Sequence, residues 1–329
     1  MIYFVSGATG FLGGRVVELL LQRGDQVIAF GRNLQALERL AGLGAQTIQG
    51  DLTDSEILLN SIPEGGSVIH CGALSTPWAK KEDYLQANVN GTEILCSVSL
   101  KKQVKRFVHI STPSIYVERF AKENILESDS LPSVMINDYA HTKLLAEKIV
   151  DSYVQQGLSA LILRPQGIFG PRDTAIIPRL IRVAQKGFVP VMNEGVKIDL
   201  TYVDNVVEAI FCALRAQEKY VGEKYNITNG EPVDQLLTLE YLLEKLGYRV
   251  KRKWIPDSRA WFLAGILEWI YRTFALQGEP LLTRYSVCTL AFTRTLSIEK
   301  ARRELGYDPQ VSMTEGLERT IPWFAQLRS

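Results

Sequence analysis

A tyrosine and a lysine four residues apart, Tyr139 and Lys143, are the side chains of this sequence best suited to proton transfer. On a helix, residues at this spacing project from one face. A phenol ordinarily titrates near pH ~10, too high for an efficient base at neutral pH. Because nearby positive charge favours the phenolate, we expect Lys143, together with a positively charged ligand ring bound beside it, to lower the pKa of Tyr139. The pair predicts acid/base chemistry, although this spacing is also common on ordinary helix surfaces.

Three hydroxyl side chains compete for a role beside this pair. Ser111, Thr112 and Ser114 lie at the end of a predicted strand, Arg106–Ser111. Ligands of open α/β sheets bind at the carboxyl ends of the strands, where a hydroxyl can hydrogen-bond a reacting oxygen. We favour Thr112 as the third catalytic residue. Ser111 and Ser114 could instead end the strand and form a turn, and Ser114 is also a tentative substrate contact.

A glycine-rich segment near the N-terminus, Ser6-Gly7-Ala8-Thr9-Gly10-Phe11-Leu12-Gly13, has the pattern of a loop that holds phosphates. Gly7 and Gly10 let the backbone turn tightly and approach a pyrophosphate, and the following helix offers free N–H groups. Glycines also make plain turns, but the strand–turn–helix context favours a dinucleotide site. The predicted cofactor contacts here are Gly7, Thr9, Gly10, Phe11, Leu12 and Gly13.

Short β-branched or aromatic runs alternate with segments of helical periodicity, and these elements must position the candidate residues. The alternation is typical of βαβ units. It predicts the α/β class, with a Rossmann-type doubly wound parallel sheet. Helices are predicted over Leu12–Arg23 and Asp138–Gln156. The predicted strands are Ile2–Ser6, Gln26–Phe30, Ala45–Gln49, Ser67–Cys71, Arg106–Ser111 and Ser159–Arg164.

The alternation of predicted strands and helices is regular in the first half of the chain and weaker in the second, which predicts two domains. Residues 1–165 form the dinucleotide-binding Rossmann domain, to which later segments can return. After residue 165, prolines recur and the alternation weakens. Residues 166–329 are therefore predicted to form mainly a smaller C-terminal substrate-binding domain.

Composition narrows the class of partner. With 37 basic and 36 acidic residues, the chain has no charge excess that would attract nucleic acid or an anionic membrane. We therefore expect a small molecule bound in a pocket. The four cysteines are widely spaced, and no arrangement of cysteine and histidine predicts a disulfide framework or a metal site. The chain runs from Met1 directly into an apolar β-like segment, which favours a cytoplasmic protein.

Further motifs, in order along nearly the whole chain, resemble the extended short-chain dehydrogenases/reductases. Beside the Gly-x-x-Gly-x-x-Gly loop they include Asn88-Val89-Asn90-Gly91-Thr92 and Tyr139-Ala140-His141-Thr142-Lys143. The string Arg164-Pro165-Gln166-Gly167-Ile168-Phe169-Gly170-Pro171-Arg172-Asp173 and the later Leu282-Thr283-Arg284-Tyr285 are most similar to the 3β-hydroxysteroid dehydrogenase-like branch. That branch includes sterol-4-carboxylate 3-dehydrogenases and reductases of 2-alkyl-3-oxo acids. The chain has Thr112 where many relatives carry serine.

The resemblance implies additional cofactor contacts and one partner. Asp51 and Leu52 would meet the adenine, and Lys143 would hold the nicotinamide ribose. A homodimer through two long helices of the cofactor domain is common in the family. The remaining implied cofactor residues are Cys71, Gly72, Ala73, Asn88, Ser111, Pro165, Gly167 and Ile168.

The end of the second predicted strand bears on cofactor choice. NAD-specific folds place an acidic residue there for the ribose 2′-hydroxyl, whereas an arginine accommodates a 2′-phosphate. Here Gly31, Arg32 and Asn33 follow the strand. We therefore predict a preference for NADP, with Arg32 as a contact and NAD as the alternative cofactor.

Together these features predict an enzyme, an NAD(P)-dependent oxidoreductase that transfers hydride between a nicotinamide and a secondary alcohol or ketone. The apolar, aromatic C-terminal half favours a bulky hydrophobic substrate, sterol-like or a long-chain 3-oxo acid. A sugar-nucleotide epimerase or dehydratase on the same fold is an alternative, which would need polar groups for a diphosphate. A non-catalytic NADP-binding redox sensor is another, but it would be expected to lose Tyr139 or Lys143.

Apolar and aromatic side chains crowd residues 258–278. Glu268 and Arg272 interrupt this segment, so it falls short of the ~20 apolar residues of a spanning helix. We expect these two side chains to pair on one helix face. A helix this apolar must be covered by the protein core, a bound substrate or a membrane interface. Core packing is the plainest of these, a lid over an apolar ligand would make Phe262 and Ile266 substrate contacts, and peripheral membrane contact is the third.

Overall fold

The fold is described by a computed structural model that covers residues 1–326. The strands are β1 (Ile2–Ser6), β2 (Gln26–Gly31), β3 (Gln46–Gln49), β4 (Ser67–His70), β5 (Arg106–Ile110), β6 (Lys122–Ile125), β7 (Ala160–Pro165), β8 (Ile168–Phe169), β9 (Phe188–Val191), β10 (Lys197–Ile198), β11 (Thr201–Tyr202), β12 (Lys224–Ile227), β13 (Val233–Asp234), β14 (Lys251–Trp254) and β15 (Arg294–Leu296). The helices are α1 (Phe11–Gln22), α2 (Leu34–Gly42), α3 (Ser55–Ser61), α4 (Lys81–Tyr84), α5 (Gly91–Lys101), α6 (Asp138–Gln155), α7 (Ile176–Ala184), α8 (Val203–Leu214), α9 (Gln235–Lys245), α10 (Asp257–Thr273), α11 (Arg284–Ala291), α12 (Glu299–Leu305) and α13 (Met313–Gln326).

One seven-stranded sheet organises the molecule, in the order β12-β7-β5-β4-β1-β2-β3. All its neighbouring strands pair in parallel. The order reverses at β1, because the chain first moves outward to β2 and β3 and then returns to β4 on the other side. This is the doubly wound arrangement, and the predicted Rossmann-type fold is confirmed. Ligands of such sheets bind beyond the carboxyl ends of the strands near this reversal.

The six predicted strands all form, with ends that differ by about one residue. The seventh, β12, was not predicted, although it pairs in parallel with β7 along four residues. Its Asn226 is fully buried and interrupts the apolar run that usually reveals a buried parallel strand. The amide of Asn226 is satisfied instead by the carbonyl of Ile125 and the hydroxyl of Tyr116. A buried polar residue with tertiary partners cannot be recognised from periodicity alone.

Two apolar layers cover the faces of this sheet. On one face α1 and α8 pack together, and their Val16 and Val206 have no exposed surface. On the other face α5 and α6 contribute Leu95 and Val150 to a separate cluster. Because both faces are covered, the strands can be apolar on both sides, as parallel strands generally are.

The remaining strands form smaller sheets, and all of these strands except β6 follow β7 in the chain. These sheets have the orders β13-β10-β15-β6, β11-β8 and β14-β9. The later part of the chain also returns to the large sheet, since α8 and β12 pack there after residue 165. The division into domains near residue 165 stays a prediction.

A buried ion pair joins the helix α6 to the sheet. Arg164 on β7 donates to both carboxylate oxygens of Glu147, from Nη2 at 2.6 Å and from Nε at 2.9 Å. Their side chains are 4% and 1% exposed. The hydroxyl of Ser111, just after β5, donates to the same carboxylate at 2.5 Å. One carboxylate therefore links α6 to the ends of two neighbouring strands.

We predict that Arg164→Met destabilises the protein by about 3–5 kcal/mol, because it leaves the Glu147 carboxylate buried without its cation. The free energy of unfolding in urea, followed by circular dichroism, measures this. Arg215→Ala is the matched control, since it breaks an exposed pair with Glu208 and should cost about 1 kcal/mol or less. A cost for Arg164→Met as small as that of the control would show that the pair does not hold α6 in place.

Candidate active site

A cavity of about 810 Å³ lies beyond the carboxyl ends of the strands of the large sheet. Its size is within the range of small-molecule sites in proteins. It receives side chains from both halves of the chain, so the fold brings together residues that are distant in sequence. The predicted residues that line it are Gly7, Thr9, Gly10, Phe11, Leu12, Gly13, Arg32, Asp51, Leu52, Cys71, Gly72, Ala73, Ser111, Thr112, Ser114, Tyr139, Lys143, Pro165, Gly167 and Ile168.

The glycine-rich loop packs too closely for side chains. Gly7 has φ +68°, and a Cβ atom there would lie 2.6 Å from the backbone of Gly72. A Cβ on Gly13 would lie 2.2 Å from the carbonyl oxygen of Gly7. The helix α1 starts from Gly10 without a side-chain cap, so its first N–H groups face the cavity free. This is a cradle that an anion such as a pyrophosphate fits.

The ends of β2 and β3 carry charges of both signs. The guanidinium of Arg32 is 74% exposed and its Nη1 lies 3.6 Å from a carboxylate oxygen of Asp51. Asn33 is not free to bind a ligand with its side-chain oxygen, because that oxygen caps α2 through the N–H of Ala36. Arg32 is therefore an exposed and weakly held cation at this rim of the cavity.

Asn88 lies behind the cavity wall and does not line it. Its side-chain oxygen accepts from the N–H of Leu74 at 2.7 Å, and its nitrogen donates to the carbonyl of Leu74 and the hydroxyl of Thr142. It sits in a π-helical turn, Leu85–Asn90, between α4 and α5. Asn88 thus fastens the segment after β4 to the helix α6, which is a positioning contact.

Tyr139 and Lys143 both project from α6 into the cavity, as their spacing predicts. The helix begins beside them, since the side chain of Asn137 accepts from the N–H of Ala140 at 2.8 Å. Thr112 stands opposite, at the start of a short 3₁₀ turn, where its hydroxyl accepts from the N–H of Ser114 at 3.1 Å. The three candidate catalytic residues therefore open on one space.

Burial sets the proton affinities of this pair. Enclosure by surrounding atoms raises the pKa of the Tyr139 phenol to about 12, although contact with the hydroxyl of Thr112 opposes the rise. Burial also lowers the pKa of Lys143 to about 8, against the pull of Glu147. The Nζ of Lys143 donates to the carbonyl of Ile110 at 2.7 Å. Within the chain alone, burial therefore dominates the pKa of Tyr139. The expected lowering by Lys143 together with the positive ring of a bound oxidised nicotinamide stays a prediction.

Two buried histidines lie under Lys143. His109 Nε2 is 3.3 Å from Lys143 Nζ, and the rings of His70 and His109 are 5.1 Å apart. Burial, with the nearby ammonium, holds the pKa of His70 at about 3 and that of His109 well below its usual value. Both rings are therefore neutral at neutral pH. Within residues 1–326, no three histidine, cysteine or acidic side chains are grouped to hold a metal ion.

Several cavity residues were not predicted, among them Tyr285 and Asp173. The hydroxyl of Tyr285, at the start of α11, lies 3.0 Å from Oγ of Ser114 and so continues a chain of hydroxyls from Thr112. Asp173 is buried and its carboxylate accepts from the N–H groups of α7, at Ala175, Ile176 and Ile177. Both residues lie within motifs noted in the sequence, but motif membership alone does not tell which side chains face the cavity.

The apolar segment forms α10, and its two tentative substrate residues do not line the cavity. Phe262 and Ile266 are 69% and 40% exposed. The expected pairing of Glu268 with Arg272 is also wrong. Instead, a carboxylate oxygen of Glu268 accepts from the N–H of Arg284. The guanidinium of Arg272 donates to Asp138 at 3.3 Å, so both side chains are engaged by residues outside the helix. No helix in the described part of the chain is long and apolar enough to cross a membrane.

Comparison with known proteins supports the motif resemblance. The sequence profile of the NAD dependent epimerase/dehydratase family matches residues 3–228. A 2-alkyl-3-oxoalkanoate reductase from Stenotrophomonas maltophilia (strain K279a) is 35% identical, over 97% of this chain and 98% of that protein. The decarboxylating sterol-4-alpha-carboxylate 3-dehydrogenase of Mus musculus is 31% identical, over 98% of this chain and 91% of that protein. The predicted resemblance to this branch is confirmed.

Solved structures agree on the fold. The UDP-glucuronic acid 4-epimerase from Bacillus cereus has been solved in complex with NAD. Its structure superposes on this one with a TM-score of 0.78, over 100% of this chain and 100% of that one. Its sequence is 24% identical to this one. At that level the likeness extends to the fold alone.

We predict that Tyr139 of the protein without cofactor stays protonated up to pH ~10, since a raised pKa means that the phenol holds its proton longer. The difference in tyrosinate absorbance between the wild type and Tyr139→Phe should show no step between pH ~7 and ~10, whereas N-acetyltyrosinamide ionises near ~10. A step below pH ~9 would mean that Lys143 dominates over burial.

Proposed function

Since the chain belongs to the NAD dependent epimerase/dehydratase family, we propose that it is an NAD(P)-dependent oxidoreductase that interconverts a ketone and a secondary alcohol on a bulky hydrophobic substrate. The chain is an enzyme with an NAD-binding oxidoreductase fold. The observation that carries the proposal is that Tyr139, Thr112 and Lys143 share one cavity with the glycine-rich loop.

The residues of the chain divide the work as follows. When bound, the nicotinamide cofactor supplies or accepts the hydride. Tyr139 gives its phenolic proton to the carbonyl oxygen of a ketone, or takes it back from the alcohol, while Thr112 hydrogen-bonds the same oxygen. Lys143 is fixed by the carbonyl of Ile110 and keeps further N–H donors for the ribose and the phenolate.

The apolar character of the substrate is supported by the named relatives. One acts on 2-alkyl-3-oxoalkanoates and another on a sterol carboxylate. The later part of the chain also contributes the apolar side chains of Ile168 and Ile176 to the cavity wall. A sugar-nucleotide epimerase or dehydratase is the second candidate, supported by the fold of the solved neighbours. A redox sensor without turnover is disfavoured, because the proton-transfer pair is intact.

We also propose that NADP is preferred over NAD. The acidic residue that would bind a ribose 2′-hydroxyl is missing after β2, and the exposed guanidinium of Arg32 lines the cavity there. The nearby carboxylate of Asp51 would have to release Arg32, which costs little for an exposed pair.

Turnover of a long-chain 2-alkyl-3-oxo acid or a sterol, followed by cofactor absorbance, is the direct test of the proposed activity. We expect Tyr139→Phe to lower kcat by about 100-fold or more while cofactor affinity is kept, because only the transferable proton is lost. Lys143→Ala should weaken both. Turnover of a UDP-sugar in place of the hydrophobic substrates, or more than about a tenth of wild-type kcat in Tyr139→Phe, would contradict the proposal.

Cofactor preference is tested by titrating NADP and NAD at matched ionic strength. We expect Arg32→Ala to raise the Kd for NADP by about 10-fold or more, the value of one charged hydrogen bond, and to leave NAD unchanged. Arg249→Ala, a change at an exposed arginine outside the cavity, is the matched control. Equal affinities of the wild type for both cofactors would refute the preference.

A further inference from the structure

Three arginines are buried in the described part of the chain, and one of them has no partner there. Arg106, Arg164 and Arg294 are 5%, 3% and 4% exposed. Arg106 pairs with Glu218, and Arg164 pairs with Glu147. The guanidinium of Arg294 forms no ion pair with a carboxylate of the described residues, and its Nη2 is fully enclosed without a hydrogen-bond partner among them. The fold therefore holds one buried cation uncompensated.

A buried charge without a counter-ion is unfavourable, which is why buried arginines are generally paired. Burial lowers the pKa of Arg294. A guanidinium nevertheless stays protonated at neutral pH in proteins. Glu118 attracts Arg294 through space, but its carboxylate is already paired with Lys122. We therefore expect the counter-ion of Arg294 to be a bound ligand.

The strand β15 directs Arg294 toward the candidate active site. Arg294 and Leu296 are two residues apart, so they lie on the same face of the strand. Leu296 packs in one cluster with Ile115 and Tyr116, which belong to the 3₁₀ turn that follows Thr112. Arg294 therefore lies on the side of β15 that faces this turn.

A row of hydroxyl groups connects this region with the cavity. Tyr285 and Cys288, one turn apart on α11, both act on the charge of Arg294 through space. Tyr285 lines the cavity, and its hydroxyl lies 3.0 Å from Oγ of Ser114. That oxygen lies 3.0 Å from the hydroxyl of Thr112. The row thus leads from the proposed site of the reacting oxygen toward the buried guanidinium.

We propose that Arg294 binds the carboxylate of the substrate and thereby selects a 3-oxo acid. This assignment rests on the proposed function. In a 3-oxo acid a single carbon separates the ketone carbon from the carboxylate carbon, so a ketone held at Thr112 places the carboxylate beside Ser114 and Tyr285. A guanidinium is a planar fork that can donate two parallel N–H bonds to a carboxylate.

Arg294 is not in the cavity wall, so its side chain turns past Tyr285 to meet the carboxylate. The Nη2 group has no hydrogen bond within the described chain to lose in this turn. The hydroxyl of Tyr285 is a second donor for the same carboxylate once it leaves Ser114. The carboxylate would then neutralise a charge that the chain leaves unpaired.

A nucleotide diphosphate fits this position less well than a carboxylate. A diphosphate carries more negative charge than one guanidinium neutralises. Among the described residues of the cavity wall the basic side chains are Arg32 and Lys143, and the proposed function uses both for the cofactor. A single buried guanidinium matches a single carboxylate.

Binding of a 3-hydroxy acid tests the assignment without turnover. Calorimetric titration of 3-hydroxydodecanoate and of its methyl ester into the protein saturated with NADPH allows no hydride transfer, since both partners are reduced. We expect the wild type to bind the acid about 10-fold or more tightly than the ester, the value of a charge-assisted hydrogen bond. Arg294→Met should remove this preference. Arg294→Lys should keep part of it, because lysine retains the charge and loses the fork.

Arg119→Met is the matched control. Arg119 is a neighbouring cation, since it and Arg294 both act on Cys288, but it is 41% exposed and pairs with Asp257. This variant should keep the full preference for the acid. The urea midpoint of unfolding adds a readout that a structural role would move. Arg294→Met should not lower it, because an unpaired buried charge is removed.

Equal binding of acid and ester to the wild type, or an unchanged preference in Arg294→Met, would overturn the carboxylate site. If Arg294→Met does not fold, an unchanged preference in Arg294→Lys has the same meaning. Binding of UDP that depends on Arg294, without a preference for the acid, would assign the guanidinium to a diphosphate. If the acid preference depends on Arg294 but the corresponding 3-oxo acid is not reduced, the proposed activity fails and the carboxylate site stands.

Discussion

The buried carboxylate of Glu147 fixes the position of α6, which carries Tyr139 and Lys143, relative to the large sheet. It is buried on α6, one helical turn after Lys143, and it binds Arg164 on β7 and Ser111 after β5. A buried carboxylate with a full set of donors is directional, since it can be satisfied in one arrangement of helix and strands. The same arrangement points Tyr139 and Lys143 at the cavity. The position of the proposed acid/base pair is thus a consequence of a salt bridge behind it.

Desolvation determines the protonation of the titratable side chains in and beneath the cavity. The same burial that holds the Tyr139 proton in place lowers the proton affinity of Lys143 and keeps His70 and His109 neutral. The lysine is consequently the main source of positive charge beneath the site. A floor with neutral histidines and one buried ammonium suits a ligand that brings negative charge and a reacting carbonyl that brings little charge.

Much of the fold and the cofactor loop could be predicted from the sequence, because both depend on local patterns. Gly7 and Gly13 are required because a side chain at either position would clash with nearby backbone. Apolar runs indicate strands that are buried on both faces. The rest depended on tertiary contacts. Asn226 hid a strand because its amide finds partners far along the chain, and Tyr285 reaches the site across 171 residues through Ser114. The outward orientation of the apolar face of α10 could not be predicted either. Periodicity shows which residues share a helix face, but it does not show which face packs against the rest of the protein.

The edge strand β12 has a consequence for how the chain is made. It completes the large sheet with residues that follow the Rossmann half by some sixty positions, after several elements of the other half have been laid down. During synthesis, β7 must therefore wait with an open edge while the ribosome adds the intervening segments. Exposed strand edges recruit other strands, so nascent chains stalled at this stage are open to mispairing. The large sheet is therefore completed late in synthesis, by a strand that lies far along the chain from its neighbour β7.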